Sequence, residues 1–193
     1  PSFILYDMKF LRTLPDAEWS NGFAEIIKHS FIRDAGMFRE LEKNSPGYYR
    51  KNDAALLKLV RRNVLLKAGI VKKDEFEKGE RRLLNFGHTL GHALENQYEL
   101  SHGQAISIGM TFAAHMSEKL TGLKDPGKLT DLLTKYGLPA YATFNKKKVF
   151  EVLKMDKKKE RKDMNFVLLE NIGKGLVKKI SLKDLQGFLD TLI

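Results

Sequence analysis

Apolar residues recur every three to four positions along most of the chain, a period typical of helices that bury one face. Trp19, Phe23 and Ile27 show this spacing in a segment that begins after Pro15. Asn52 and Asp53 precede a longer segment of the same kind, and either is a suitable N-cap. The pattern predicts helices over residues 16–32, 35–42, 53–72, 81–99, 102–119, 128–136, 146–155 and 182–192.

Strand signals are few. Residues 3–6 predict one short strand, and residues 165–169 and 176–180 flank a Gly173-Lys174-Gly175 turn that is typical of a β-hairpin. Residues 44–47 interrupt the helical pattern with a proline and a glycine. The sequence therefore predicts a mainly α fold, with residues 1–193 forming a single helical domain that carries a small β-hairpin.

Composition narrows the class of protein. The 193 residues carry a net charge of +10, no cysteine and a hydrophobic fraction of 42%, which is sufficient for a core. The absence of cysteine is consistent with a cytoplasmic protein. The longest apolar run, 106–116, is too short to span a bilayer, so we expect no membrane partner. The chain starts without Met in an apparent strand, and we expect it to be a fragment.

Two lysine runs, at residues 146–148 and 157–159, concentrate positive charge late in the chain. Such charge attracts nucleic acid, a membrane surface or anionic metabolites. Aromatic residues are not interleaved with the runs as stacking platforms for bases would be, so solvated surface is the favoured interpretation. A basic helical nucleic-acid-binding module remains a remote alternative, and we expect no nucleic-acid partner.

Polar residues line one side of the helix predicted over 81–99. Arg81, Asn85, His88 and His92 follow one another at intervals of four, three and four residues, which places them on one face of a helix. A helix with this face is suited to a metal ion, an anionic substrate or both. The paired histidines resemble a zinc-protease motif, but Thr89 stands where that motif has its general base.

Three residues outside this stripe are further candidates. Glu25 lies among apolar neighbours and needs a partner, which is either Lys28, one turn later, or a metal ion bound by one Glu and two His. His102 follows a plausible N-cap and lies at a helix start, a position that favours bound anions or serves as a simple capping turn. Lys67 alone is an ordinary surface lysine, and we interpret His29 and His115 as structural or surface residues.

Several segments together match a known family in sequence and in order. They are Gly22-x-Ala24-Glu25-Ile26-Ile27-Lys28, Lys67-Ala68-x-x-Val71-x-x-Asp74-Glu75, Leu84-Asn85-x-Gly87-His88-Thr89-x-Gly91-His92-Ala93-x-Glu95 and His102-Gly103-x-Ala105-x-x-Ile108-Gly109-Met110. They closely resemble the 3-dehydroquinate synthase family, a member of the sugar-phosphate cyclases. The resemblance extends over essentially the whole chain and, at its end, includes Asp156-Lys157-Lys158.

The resemblance implies roles that spacing alone leaves open. The metal ligands, for Zn²⁺ or Co²⁺, would be Glu25, His88 and His102, with His92 facing the substrate. The other substrate-site residues would be Lys28, Lys67, Glu77, Arg81, Asn85 and Lys157. Residues Phe10, Leu11, Arg12 and Thr13 would contact NAD from this side, and most of the NAD site would belong to an N-terminal α/β domain that this chain lacks.

The family's activity also follows from the resemblance. We expect the intact enzyme to be a cytoplasmic homodimer of the shikimate pathway, a phosphate lyase of aromatic amino acid biosynthesis. It would convert 3-deoxy-D-arabino-heptulosonate 7-phosphate, an anionic sugar phosphate, to 3-dehydroquinate and phosphate, with the isolated chain inactive. The alternative is a paralogous cyclase, such as a 2-deoxy-scyllo-inosose synthase-like enzyme.

Overall fold

The computed structural model describes residues 2–155 and 163–192, which form a mainly helical fold with a two-stranded antiparallel sheet. The predicted fold class is confirmed. The α-helices are α1 (Asp16–Arg33), α2 (Ala35–Lys43), α3 (Pro46–Lys51), α4 (Asp53–Lys73), α5 (His88–Glu95), α6 (His102–Thr121), α7 (Gly127–Lys135), α8 (Lys146–Met155) and α9 (Leu182–Leu192). Short 3-10 helices cover Met8–Thr13 and Glu80–Asn85. Strands β1 (Asp163–Asn171) and β2 (Lys174–Ser181) form the hairpin.

Helix α6 lies at the centre of the fold. It is apolar almost all round, as a helix enclosed by other elements must be. Ile106 and Met110 pack into a cluster with α1, α2, α4 and α7, whereas Ile108 and Phe112 pack into a second cluster with α5, α8, α9 and the hairpin. The two clusters therefore meet along α6. No helix among the described residues combines the length and the apolar character that a membrane crossing requires.

Glycines allow α5 to approach α6 very closely. A Cβ atom added at Gly109 would lie 2.0 Å from the carbonyl oxygen of Gly87, and one added at Gly91 would lie 2.7 Å from Cδ1 of Ile106. Any side chain at these positions would separate the helices. This contact fixes the start of α5, on which His88 lies, against the body of α6.

The prediction of one continuous helix over 81–99 is wrong. Glu80–Asn85 is a 3-10 helix, and α5 begins only at His88. Gly87 separates them with φ of 78°, a left-handed conformation that glycine adopts without strain and that ends a regular helix. The four polar residues of the predicted stripe are thus divided between two elements.

Three smaller differences separate the prediction from the structure. Residues 3–6 form no strand, and Phe3 and Leu5 are more than 80% exposed, because the described part of the chain offers them no partner strand. Ser45, whose side chain caps Tyr48 N–H, starts the short helix α3 where the sequence indicated only a break. The hairpin turn falls at Ile172 and Gly173, slightly before its predicted position, and both strands are longer than predicted.

Candidate functional site

Glu25, on α1, is the centre of a cluster of polar groups. Its Oε2 accepts a hydrogen bond from Nζ of Lys28 at 2.7 Å. Its Oε1 is buried and has no hydrogen-bond partner among the described residues. This oxygen lies 3.6 Å from Nε2 of His88 and 3.8 Å from Nε2 of His102. Of the alternatives that the sequence left open, the ion pair with Lys28 is present and occupies only one carboxylate oxygen.

Backbone geometry brings the two histidines to Glu25. His88 is the first residue of α5, and its Nδ1 lies 3.1 Å from the carbonyl oxygen of Phe86. A carbonyl only accepts, so Nδ1 carries the proton and Nε2 keeps a lone pair directed toward Glu25. His102 is the first residue of α6, where Ser101 and Gln104 form a capping box. The starts of two helices thus converge on one carboxylate of a third.

The charge states of these groups suit a cation. Burial, together with the neighbouring Lys28 ammonium, lowers the pKa of His88 to about 4, so the ring is neutral near pH 7. Burial acts to raise the pKa of Glu25, but the charge and hydrogen bond of Lys28 outweigh it and hold that pKa below its ordinary value. Metal ligands must be deprotonated, and both groups are.

The three donor atoms also fit a divalent metal ion. One atom from each of Glu25, His88 and His102 lies within 4.8 Å of the other two. Donors around a tetrahedral Zn²⁺ lie about 3.3–3.6 Å apart, given bond lengths of about 2.0–2.2 Å, so the separations of 3.6 and 3.8 Å between Oε1 of Glu25 and the two histidine nitrogens need only a small contraction. The buried, unpartnered Oε1 of Glu25 is the strongest observation, because an ion beside it would supply the missing interaction.

A second group of donors overlaps the first. His92, Glu95 and His102 also offer atoms within 4.8 Å of one another. His102 belongs to both groups, with Nδ1 toward Glu95 at 3.2 Å. His92 and His102 are exposed, so this second group is more open to solvent than the one around Glu25.

Cationic and amide side chains form the walls of the cleft beside Glu25. The walls contain all but one of the substrate-site residues that the sequence indicated among those described: Lys28, Lys67, Glu77, Arg81 and Asn85. Lys28 is buried at 2% exposure and retains Glu25 as its counter-ion, although burial holds its pKa below the ordinary lysine value. Amide and cationic donors around a cleft are suited to carboxylate and phosphate groups.

A tight loop between α4 and the 3-10 helix places part of this wall. The carboxylate of Asp74 accepts hydrogen bonds from the backbone N–H groups of Lys78, Gly79 and Arg81 at 2.8–2.9 Å. The bonds from Arg81 and Gly79 lower the pKa of Asp74. Glu77, at a positive φ of 56°, lies within the loop and accepts a hydrogen bond from the amide of Asn85. Asp74 thus fixes the backbone on which Glu77 and Arg81 are presented.

His92 lies beside the cleft rather than in it. It lines an adjoining depression together with Asn85, His88 and residues of α8 and β1, including Leu153 and Phe166. The rings of His88 and His92 are 5.2 Å apart and nearly perpendicular. The polar stripe is therefore maintained across the break at Gly87, with Asn85 and His88 shared by both depressions.

The sequence did not indicate His29 for the site. It is 1% exposed, it lines the cleft of Glu25, and its Nδ1 lies 2.7 Å from Oδ1 of Asn63. Burial and the nearby Lys28 lower its pKa to about 4. The sequence feature that could have placed His29 in the site is its position four residues after Glu25, because this spacing puts both residues on the same face of α1.

The residues expected to contact NAD lie elsewhere on the surface. Phe10, Leu11, Arg12 and Thr13 belong to the first 3-10 helix, where Phe10 is 79% exposed and Leu11 packs against the core. Arg12 pairs with Asp53 at the start of α4, beside a separate cleft that Trp19 and Arg50 also line. Lys157 lies outside the described residues.

Comparisons with known proteins agree on the class. The family model described as 3-dehydroquinate synthase C-terminal matches residues 22–159. A 3-dehydroquinate synthase of Halalkalibacterium halodurans is 38% identical over 100% of this chain and 55% of its own length. One of Dehalococcoides mccartyi is 36% identical over 92% of this chain and 51% of its own length. The chain thus spans about half the length of the curated relatives it matches.

Solved structures show the same fold. A 2-epi-5-epi-valiolone synthase from Streptomyces hygroscopicus, with NAD⁺ and Zn²⁺ bound, superimposes with a TM-score of 0.82 at 25% identity, over 96% of this chain and 54% of that one. A 2-deoxy-scyllo-inosose synthase complexed with carbaglucose-6-phosphate, NAD⁺ and Co²⁺ gives a TM-score of 0.77 at 23% identity. The superposition covers 95% of this chain and 55% of that one. The fold is that of the sugar-phosphate cyclases. Within that class, the chain belongs to the 3-dehydroquinate synthase family and corresponds to the family's C-terminal part.

Proposed function

We propose that this chain is the metal- and substrate-binding domain of an enzyme that converts 3-deoxy-D-arabino-heptulosonate 7-phosphate to 3-dehydroquinate and phosphate. The observation that carries the proposal is the buried, unpartnered Oε1 of Glu25 between Nε2 of His88 and Nε2 of His102. These three residues would hold a Zn²⁺ or Co²⁺ ion. Identities of 38% and 36% to curated 3-dehydroquinate synthases support this particular reaction.

The cleft walls would bind the anionic groups of the substrate. Arg81 offers a planar pair of donors to a carboxylate or phosphate, and Lys67 offers an exposed ammonium group. Lys28 is already committed to Glu25, so we assign it to orienting that carboxylate as well as to the substrate. Lys157 completes the predicted set from outside the described residues.

The remaining side chains would orient the carbon framework. Asn85 and His92 line the depression next to the cleft, where they would contact hydroxyl groups, and Glu77 would fix the amide of Asn85. A metal ion held by Glu25, His88 and His102 would supply Lewis-acid polarisation of the hydroxyl that is oxidised, and NAD⁺ would supply the acceptor for the hydride that leaves the carbon bearing this hydroxyl. Most of the NAD site would lie on an N-terminal domain outside this chain, with Phe10, Leu11, Arg12 and Thr13 contacting the cofactor from this side.

A paralogous sugar-phosphate cyclase is the second candidate, because the solved structures of the same fold include a 2-epi-5-epi-valiolone synthase and a 2-deoxy-scyllo-inosose synthase. The metal cluster alone does not distinguish these activities. A cytoplasmic homodimer acting in the shikimate pathway remains our prediction for the intact enzyme.

The test joins this chain to the preceding part of the Halalkalibacterium relative and measures phosphate release with Zn²⁺ and NAD. We expect release from the heptulosonate phosphate and none from a hexose 6-phosphate, and we expect none from this chain alone. Lys67→Met and Arg81→Met in the joined protein should raise KM strongly. Release from the hexose phosphate instead would favour a paralogous cyclase, and turnover by the chain alone would contradict the proposed division between domains.

A further inference from the structure

His102 presents its two ring nitrogens to two different carboxylates. Nε2 lies 3.8 Å from Oε1 of Glu25, and Nδ1 lies 3.2 Å from Oε2 of Glu95. We propose that Glu95 is the positioning residue of His102: it accepts a hydrogen bond from Nδ1–H and so turns the lone pair of Nε2 toward Glu25. The inference deepens the proposed function and rests on the metal site proposed there.

The chemistry of the imidazole ring supports this role. A neutral imidazole has one protonated nitrogen and one acceptor nitrogen, and an ionised carboxylate is only an acceptor. Beside Glu95, the form of His102 with the proton on Nδ1 is therefore favoured. Nε2 is then unprotonated, as a metal ligand must be, and a carboxylate partner also raises the basicity of the ligating nitrogen.

The backbone holds the two residues at this distance. Glu95 is the last residue of α5, and His102 is the first residue of α6. The turn between them is closed by hydrogen bonds from Tyr98 N–H to Leu94 O at 2.9 Å and from Leu100 N–H to Tyr98 O at 2.8 Å. The capping box then fixes the first turn of α6. The side chains of Glu95 and His102 thus face each other across a short turn that backbone hydrogen bonds hold in place.

His88 provides an internal comparison. Its Nδ1 faces the carbonyl oxygen of Phe86 at 3.1 Å, so the two histidines that face Oε1 of Glu25 each have an acceptor at Nδ1 and direct Nε2 to that oxygen. The acceptor for His88 is a backbone group that no substitution removes. The acceptor for His102 is a side chain, so its contribution can be measured by mutation.

A competing role for Glu95 is metal ligation in the group that it forms with His92 and His102. The two roles predict different effects of replacing Glu95 by Gln and of removing His88. A positioning residue needs only an acceptor atom, which Gln also provides, and leaves His88 essential for metal binding. A ligand in the second group needs its negative charge and makes His88 dispensable.

The first test reads the protonated nitrogen of His102 directly, without metal. Long-range proton–nitrogen correlation spectra of the isotope-labelled chain, recorded at about pH 8 where histidine is ordinarily neutral, should show the Nδ1–H form in the wild type. Glu95→Gln should keep this form, and Glu95→Ala should shift it toward the Nε2–H form. Glu99→Ala, which removes an exposed carboxylate from the segment between α5 and α6, is the matched control and should resemble the wild type.

The second test titrates the same variants with Co²⁺ and follows visible absorption. We expect Glu95→Ala to bind about 10–100-fold more weakly than the wild type, Glu95→Gln to bind nearly as well, and His88→Ala to lose binding. An unchanged tautomer in Glu95→Ala would overturn the inference. So would equal weakening by Gln and Ala with binding retained in His88→Ala. A tautomer shift without Co²⁺ binding by the wild type would support the role of Glu95 and contradict the proposed metal site.

Discussion

Lys28 and Glu25 form an ion pair at 2.7 Å that uses one oxygen of the carboxylate and leaves the other buried without a partner among the described residues. Lys28 is nearly inaccessible, so this pair is removed from most of the solvent. Such a pair contributes little net stability, because the desolvation of two charges offsets their attraction. Its consequence is chemical: Glu25 stays ionised and oriented, with Oε1 directed at two histidine nitrogens.

The metal site yields the first prediction. His88→Ala and His102→Ala should each abolish retention of Zn²⁺ by the chain, because each removes one of the nitrogens that face Oε1 of Glu25. His92→Ala should retain the metal, since its ring lines the adjoining depression. Metal analysis after dialysis measures this, with His115→Ala as the control on the same helix as His102. Loss of Zn²⁺ in His92→Ala with retention in His88→Ala would invert the ligand assignment.

The contact between α5 and α6 yields the second prediction. Gly109→Ala should lower the free energy of unfolding by about 1–3 kcal/mol or more, because the added Cβ would lie 2.0 Å from the oxygen of Gly87. Gly69→Ala on α4 is the matched control, since its Cβ would have no atom within 4 Å. It should stabilise the chain by about 0.5–1 kcal/mol. Denaturant unfolding measures the free energy of unfolding of both variants. Equal changes in the two would contradict the close packing of α5 against α6.

Much of the fold follows from local rules. The apolar period predicts α1, α4 and α6 closely, and Asn52 and Ser101 cap the helices where a local side-chain rule places them. The break inside the predicted helix over 81–99 is different in kind. Gly87 adopts a positive φ where it meets Gly109, more than 20 residues later, and no local pattern encodes that contact.

The candidate site was predictable to a different extent. Spacing suggested a polar stripe, and local context made Glu25 and His102 separate candidates, but only the family resemblance separated His88 from His92 and grouped Glu25, His88 and His102 as one ligand set. The structure brings Glu25, His88 and His102 together. The contact between Glu95 and His102 could not be foreseen, because it depends on the path of the turn between two helices. The predicted strand over 3–6 failed for a similar reason, since strands are stable only beside a partner.

The loop that carries Glu77 and Arg81 yields the third prediction. Asp74→Ala should accelerate hydrogen exchange at the amides of Lys78, Gly79 and Arg81, because each donates to the carboxylate of Asp74. Glu75→Ala is the control, since only the backbone oxygen of Glu75 takes part in this network, accepting from Arg81. Equal protection in the wild type and Asp74→Ala would show that the loop holds its shape without this carboxylate.

Acid stability yields the last prediction. Burial lowers the pKa of His29 and of His88 from 6.5 to about 4 in the folded chain. Below about pH 6.5 these two histidines bind protons in the unfolded state but stay neutral in the folded state. The free energy of unfolding should therefore fall as pH decreases from about 6.5 to about 4. One pKa unit corresponds to about 1.4 kcal/mol, so each ring would contribute on the order of 3 kcal/mol at the acid end.

His29→Gln tests this directly, because glutamine does not titrate and its amide can still reach Asn63. The measurement is made in the presence of a chelator, which removes bound metal ions. The variant should be less stable than the wild type at neutral pH, where the bond between His29 and Asn63 is replaced by a poorer one. It should also lose part of the decrease between pH 6.5 and 4, because His88 contributes another part with the same sign. His115→Gln removes a histidine from α6 and should keep the full decrease. A pH profile of His29→Gln parallel to that of the wild type would mean that His29 is charged, or already accessible to protons, in the folded chain.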